Sequence, residues 1–144
     1  MATKKSPTAP TLAQFKKFVA GVDLQSILLV AIQGRRFPIE ILPGLAVSFD
    51  QEIKGEFVSP ESIAYEVKHR LEIKAGDEQL YSMELGHVVS YKTEFPEASA
   101  EIIQRFGEES VRLTIAPFAR ELILRLTAEA GLPPLLVGLT KKPG

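Results

Sequence analysis

The stretch Ile63-Ala64-Tyr65-Glu66-Val67-Lys68-His69-Arg70-Leu71-Glu72-Ile73 decides the fold. Its odd-numbered positions carry apolar or aromatic side chains and one histidine, and its even-numbered positions from Glu66 onward are charged. Alternation with a period of two, sustained over this length, is typical of a β-strand with one buried face and one wet face. A sheet with one wet face is normally antiparallel. The stretch therefore predicts an antiparallel sheet.

The same alternation occurs before and after this strand. The apolar positions upstream are Val47, Phe49, Ile53 and Phe57, and those downstream are Tyr81, Met83, Leu85, His87, Val89 and Tyr91. Turn-forming residues separate the three segments at 58–61 and 76–78. Because the apolar positions are odd-numbered on both sides of the second turn, an odd loop length keeps both sets on one face. We predict a three-residue loop, Gly76 to Glu78, since a two-residue turn would expose one set to water.

The run Ile27-Leu28-Leu29-Val30-Ala31-Ile32 is apolar at odd and even positions alike. Such a run predicts a strand covered on both faces, although a buried helix also fits it. As a strand it would present apolar side chains that a free sheet edge leaves in water, which invites pairing with another chain. We therefore predict a homo-oligomer whose interface contains Ile27, Leu28, Leu29, Val30 and Ile32.

Helices are predicted at both ends of the chain. Thr11 and Gln14 have the spacing of a capping box ahead of Leu12, Phe15, Phe18 and Val19, which share one helical face, and Gly21 is a stop. Near the carboxyl end, one helix is predicted from Pro96 to Phe106 with Gly107 as its stop. A second is predicted to open at Pro117 and to end at Gly131.

Composition excludes several classes of function. The 144 residues include 17 Lys and Arg against 18 Asp and Glu, a formal net charge of −1, which gives no long-range attraction to nucleic acid or anionic lipid. The absence of cysteine excludes disulfides, thiol catalysis and Cys-based zinc sites. No apolar run approaches the roughly 20 residues that cross a bilayer, and no signal peptide is recognised. We expect a cytoplasmic protein with no nucleic-acid partner and no membrane insertion.

The candidate catalytic groups all have structural interpretations. His69 and His87 lie on the apolar sheet face of neighbouring strands without a carboxylate, so we interpret them as hydrogen-bonded core or interface residues. The strand carboxylates, such as Glu66 and Glu72, alternate with lysines on the wet face, which does not shift a pKa toward acid–base catalysis. We interpret Arg120 and Glu121 as a structural ion pair of a largely buried helix. We predict no catalytic residue, no metal and no cofactor, and therefore no enzyme.

Apolar side chains also occur outside the predicted helices and strands. They are Phe37, Ile39, Ile41, Leu42 and Leu45 in one connection, and Leu132, Leu135, Leu136 and Val137 after the last helix. Two interpretations are equally good. These residues either cap the core or an oligomer interface, or they line a groove that binds extended apolar peptide.

Two motifs resemble the SecB family of protein-export chaperones. Ala116-Pro117-Phe118-Ala119-Arg120-Glu121, continued to Gly131-Leu132-Pro133-Pro134-Leu135, is similar to that family's Pro-Tyr-Ala-Arg-Glu helix and the Pro-containing apolar segment behind it. Tyr65-Glu66-Val67 through Met83-Glu84-Leu85 is similar to its central strand pair. The likeness spans about residues 24–137.

The resemblance implies a fold, an assembly and an activity. The fold would be α+β, a four-stranded antiparallel sheet with helices packed on one face, in a single domain over residues 11–140 between a disordered tail (1–10) and a frayed end (141–144). The assembly would be a homotetramer, a dimer of dimers. The activity would be ATP-independent holding of unfolded or pre-secretory proteins, with the apolar residues of the connection and of 132–137 as client-binding residues and Glu84 facing the SecA motor.

The chain also departs from the family pattern. Export chaperones of this family are strongly acidic, whereas this chain is nearly neutral, and Gly34-Arg35-Arg36 is basic where the family has acidic motor contacts. We therefore expect a SecB-like holdase that serves either export through SecA or a dedicated client such as an antitoxin. The alternative is a small hydrophobic-ligand-binding or enzymatic domain with a pocket between sheet and helices, with His69 or His87 as its polar contact.

Overall fold

The structure, a computed structural model, describes residues 11–41 and 43–134. The helices and strands are α1 (Leu12–Ala20), β1 (Val22–Arg36), β2 (Leu45–Ser59), β3 (Ser62–Ala75), β4 (Glu78–Thr93), α2 (Ala100–Phe106), a π-helical turn (Gly107–Val111) and α3 (Arg112–Glu129). The predicted tail and frayed end lie outside the described residues, as do Leu42, Leu135, Leu136 and Val137.

The four strands form one antiparallel sheet in the order β1-β4-β3-β2. The odd-numbered side chains of β3 and β4 face the helices and form two core clusters. One cluster contains Leu71, Ile73, Met83 and Leu85 with Ala116, Ala119 and Ile123 of α3, and the other contains Ile63, Tyr65, Val67 and Val89 with Phe106 and Ile115. The predicted α+β architecture is confirmed.

The hairpin between β3 and β4 differs from the prediction. Ala75 pairs with Glu78, so the loop has two residues, Gly76 and Asp77, rather than three. Gly76 has φ = +65°, the conformation that a type II′ turn requires at its first central position. The register then shifts between the Ile73–Tyr81 and Lys74–Gln79 pairs, where Leu80 is the extra residue of a bulge. A two-residue turn alone would place the odd-numbered apolar residues of β3 and β4 on opposite faces, and the bulge returns them to the same face.

The two carboxyl-terminal helices are nearly continuous, contrary to the prediction. Gly107 keeps right-handed helical angles and opens the π-helical turn, and α3 begins at Arg112, so that Pro117 lies inside it. Pro117 and Leu113, which precedes it by four residues, are both exposed, so the Leu113 carbonyl that loses its intrahelical partner can bind water. Arg120 and Glu121 are exposed as well, so their interpretation as members of a largely buried helix is wrong.

The amino-terminal helix has the predicted capping box, with Thr11 accepting from the Gln14 backbone and Gln14 accepting from the Thr11 backbone. Helix α1 ends at Ala20 and Gly21 is its C-cap. It buries Phe15 and Phe18, and the Phe18 ring centroid lies 5.5 Å from that of Phe106 in α2. The predicted apolar face is narrower than expected, because Leu12 and Val19 are exposed.

Tyr65 is packed between two glycines. Gly55 is its direct neighbour on β2, and Gly107 lies over the ring from the π-helical turn. A Cβ atom added to Gly55 would lie 2.3 Å from Cε1 of Tyr65, and one added to Gly107 would lie 3.0 Å from the same atom. The Tyr65 hydroxyl donates to the Ile103 carbonyl at 2.8 Å. The two glycines therefore leave the space in which this aromatic ring joins sheet and helices.

Candidate functional site

The edge strand β1 carries the largest exposed apolar surface among the described residues. Leu24, Leu28, Leu29, Val30 and Ile32 are 45–59% exposed. Leu29 and Ile32 pair with His87 and Leu85 and face the helix side, whereas Leu28 pairs with Val88 and faces the open side. The predicted strand is confirmed, but the helices that the structure describes do not cover it, so within residues 11–41 and 43–134 the expected cover on both faces is not found.

The opposite edge strand β2 is protected differently. Its open face carries Asp50, Glu52, Lys54 and Glu56, all of them exposed. Lys54 and Glu52 form an ion pair at 2.8 Å. Charged side chains on an edge strand discourage pairing with another sheet, because they would be desolvated there. On β1, by contrast, the stretch from Leu24 to Gly34 carries no charged side chain and lacks this protection.

The two predicted client-binding segments lie next to each other. Ile39 and Leu45 of the connection between β1 and β2 pack against the core cluster that contains Leu132, which follows α3. Leu132 itself is only 7% exposed, which agrees with the interpretation that it caps the core and not with the client-binding role that the resemblance implies. Phe37 is half-buried, and Ile41 is 38% exposed. Among the described apolar residues of this region, Ile41 is thus the most exposed, and Phe37, Ile39 and Leu45 are half-buried.

The predicted motor-binding residue Glu84 lies on the open face of β4. Its carboxylate is 3.4 Å from the guanidinium of Arg70, its neighbour on β3. Both side chains line an open cavity of about 610 Å³ at this end of the sheet, together with Arg35 of β1. A partner that uses Glu84 must therefore compete with Arg70, since the carboxylate already has a cationic neighbour.

The two histidines are buried side by side, as predicted, without being directly opposed. His69 pairs with Leu85 and His87 with Val67, and the ring centroids are 6.3 Å apart. The amide nitrogen of Gln51 lies 2.8 Å from Nε2 of His69, and Phe49 stacks on the same ring. The Nδ1 atoms of both rings are buried without a hydrogen-bond partner. The expectation of hydrogen-bonded histidines is therefore met at Nε2 of His69 and, among the described residues, is not met at either Nδ1 atom.

This burial predicts acid lability. Desolvation, with a smaller contribution from the charge of His87, lowers the pKa of His69 to about 4 from 6.5, and desolvation lowers the pKa of His87 as well. Between pH 6.5 and pH 4 the histidine takes up a proton in the unfolded chain but stays neutral in the folded chain. The free energy of unfolding therefore has its full value above pH 6.5 and decreases as the pH falls toward 4. For His69 the loss at pH 4.5 is about 2–3 kcal/mol.

Urea unfolding at pH 7.5 and pH 4.5 measures this loss. His69→Leu removes the titration, so the stability of the variant should fall by about 2–3 kcal/mol less than that of the parent between the two pH values. Carboxylate titration is common to both proteins and cancels in the comparison. An equal fall in parent and variant would mean that His69 takes up its proton without opening the core.

Neither larger cavity is lined by a histidine. The open cavity beside Glu84 lies on the sheet, and a cavity of about 250 Å³ lies between Phe18 of α1 and the Phe95–Ala98 segment. Within residues 11–41 and 43–134, no three His, Asp or Glu side chains are grouped to hold a metal ion. In the same part of the chain, no helix has the length and apolar character needed to cross a membrane.

The architecture can be compared with known structures. The chain aligns with the SecB-like chaperone Rv1957 of Mycobacterium tuberculosis, solved in complex with a ChAD peptide from the Rv1956 HigA1 antitoxin, at a TM-score of 0.76 and 17% identity, over 88% of this chain and 95% of that one. The fold is SecB-like. A protein of unknown function from Streptococcus agalactiae is a weaker match, with a TM-score of 0.41 and 12% identity over 81% of this chain and 95% of that one. No protein-family model and no curated protein sequence matches the chain.

Proposed function

We propose that this protein is an ATP-independent holdase, a binding protein that keeps an unfolded client from aggregating. The observation that carries the proposal is the convergence of two apolar segments, the connection from Phe37 to Leu45 and the residues after α3, with Ile41 still exposed. Extended apolar peptides bind such surfaces by burying alternate side chains. The SecB-like fold supports this function, because it belongs to a chaperone in the structural neighbour.

We propose a dedicated protein client, such as an antitoxin segment, in preference to export through SecA. The neighbour is bound to an antitoxin peptide, which supports peptide recognition on this fold. The ion pair between Glu84 and Arg70 argues against a motor contact, since the acidic group is already engaged. Binding of purified SecA that weakens in Glu84→Lys would reverse this preference.

We also propose that the working form is a cytoplasmic homotetramer, a dimer of dimers joined through β1. The exposed apolar side chains of this strand, and the absence of charged residues between Leu24 and Gly34, support the pairing. Several copies of the groove in one particle would engage one long client at several points, which raises the overall affinity without new contacts.

Suppression of aggregation of a slow-folding protein tests the function. Ile41→Ser and Phe37→Ser should each weaken holding several-fold, because each removes at most about 1.5–3 kcal/mol of apolar burial against the client before ordering costs. The double variant should weaken holding much further, since a client engages several grooves. Melting temperatures should change little for Ile41→Ser, whose side chain is exposed.

Val58→Ser is the matched control, because Val58 is an exposed branched side chain at the far end of β2. Its holding should equal that of the parent. A parent protein that does not suppress aggregation at any molar ratio would contradict the proposed function. Loss of holding in step with melting temperature would show that Phe37 and Ile41 are core residues and that the client surface lies elsewhere.

A further inference from the structure

Arg36, the last residue of β1, donates to three backbone carbonyls from two distant segments. Its Nη1 donates to the carbonyls of Phe37 and Ile39 in the connection. Its Nε donates to the carbonyl of Ala130 at 3.2 Å, 94 positions further along the chain. One side chain thus joins the two apolar segments of the proposed groove.

The chemistry of these contacts suits an arginine. The planar guanidinium holds its donors in a fixed fork, so that it can bind carbonyls on different sides at once. Ala130 is the C-cap of α3, where the last carbonyls lack intrahelical partners and the helix dipole favours a positive charge. Among the described residues Arg36 has no carboxylate in ion-pair range. Its charge is therefore directed entirely at backbone carbonyls.

Neighbouring contacts fix the same corner. The Phe37 backbone N–H donates to the Leu80 carbonyl at 2.9 Å, which anchors the start of the connection to β4. The guanidinium of Arg35 lies 4.8 Å from the centre of the Phe37 ring, within range of a cation–π contact. Ile39 then packs on the core cluster beside Ala130 and Leu132. Among the hydrogen bonds of the described residues, only those of Arg36 join the connection to the end of α3.

We propose that Arg36 is a positioning residue for the client groove: it holds the Phe37–Ile41 segment at a fixed separation from the end of α3 and so sets the affinity for clients. The inference rests on the proposed holdase function. It also gives the basic Gly34-Arg35-Arg36 sequence a role inside the chain. Arg36→Lys, which keeps the charge but loses the fork, should retain only part of the effect.

The test uses the absence of native cysteine. Glu40→Cys and Pro133→Cys, both at exposed positions, carry spin labels that report the separation of the two segments. With labelled chains diluted into an excess of unlabelled chains, so that distances within one chain dominate, the parent should give one narrow distance distribution, and Arg36→Gln a broader one shifted to longer distance. Client holding should weaken at least about three-fold in Arg36→Gln, because charge-assisted hydrogen bonds that fix the segment are lost.

A short bismaleimide cross-link between the same two cysteines provides the decisive comparison. It should restore client holding in Arg36→Gln, which a role of Arg36 in client charge alone would not produce. Because a cross-link also stabilises the fold, melting temperatures are measured alongside, and Arg36→Gln without the cross-link should lose holding at a temperature where it is fully folded. Arg125→Gln, an exposed arginine of α3, is the matched control and should change neither distance nor holding. An unchanged distance in Arg36→Gln, or holding that the cross-link fails to restore, overturns the inference. A parent protein with no holding activity overturns the proposed function, and the label distances then decide the positioning role on their own.

Discussion

Replacing Gly55 by Ala should lower the free energy of unfolding by about 3 kcal/mol. The added Cβ would lie 2.3 Å from Cε1 and 2.6 Å from Cδ1 of Tyr65, far inside van der Waals contact. Tyr65 cannot move away without loss, because it is fully buried, donates to the Ile103 carbonyl, and packs edge-on against Tyr91 at 5.8 Å. Overpacking of a filled core costs about 1–3 kcal/mol and occasionally more. Urea unfolding at neutral pH measures the change.

A double-mutant cycle separates this clash from the intrinsic effect of alanine in a strand. In a Tyr65→Leu background the added methyl group has room, so most of the loss caused by Gly55→Ala should disappear. Tyr65→Phe, which keeps the ring and removes only the hydroxyl, should cost about 1–2 kcal/mol and leave the clash intact. Equal losses from Gly55→Ala in both backgrounds would show that Tyr65 is not the obstructing group.

The sheet could be predicted because its evidence is repeated along each strand. A period-two pattern over Ile63–Ile73 states both the secondary structure and the buried face, and the register of β3 with β4 follows from keeping both apolar sets together. The loop length could not be predicted in the same way, because two different loops keep the odd-numbered apolar residues of β3 and β4 on one face. One is a three-residue loop, and the other is a two-residue turn followed by one bulged residue, Leu80. Only the three-dimensional pairing distinguishes them.

The predicted boundaries of the two carboxyl-terminal helices were wrong for a related reason. Gly107 and Pro117 are ordinary stop and start signals, but each depends on its surroundings. At Gly107 an added Cβ would lie 3.0 Å from Cε1 of Tyr65 and 3.2 Å from Cγ2 of Ile53, closer than an ordinary contact, so glycine is favoured there for packing rather than for ending a helix. At Pro117 the helix continues because its outward side is wet. The sequence around a glycine or proline does not show whether that residue ends a helix, begins one, or lies inside one because of its tertiary surroundings.

The candidate site was predictable in outline only. Surplus apolar side chains identified the connection and the residues after the last helix, and the structure brings Ile39, Leu45 and Leu132 together. It also assigns Leu132 to the core, which an apolar count cannot foresee. Arg36 was visible in the sequence only as part of a basic pair. Its contact with Ala130 joins residues 94 positions apart, and no local pattern carries that information.

The assembly should depend on β1 more than on any other described strand. The double substitution Leu28→Lys and Leu29→Lys places one charge on each face of this edge, since successive residues point to opposite sides. Burial of the two leucines in an interface would contribute about 1.5–3 kcal/mol each, so their loss should weaken association by a factor on the order of 100 or more. Light scattering at micromolar concentration should change from tetramer to dimer, because only the junction through β1 is lost, with an unchanged circular dichroism spectrum.

The matched control makes the same change on the opposite edge. Val47 and Val58 are exposed apolar residues of β2, and Val47→Lys with Val58→Lys adds the same charge to a strand that already carries Asp50, Glu52, Lys54 and Glu56. Because that edge is protected by charge, its substitution should leave the mass unchanged. A parent protein that is monomeric at micromolar concentration would contradict the assembly outright. Dissociation by the β2 control alone would show that the interface lies on β2 instead of β1. The exposed apolar side chains of β1 would then be assigned to client binding rather than to contact with a second copy.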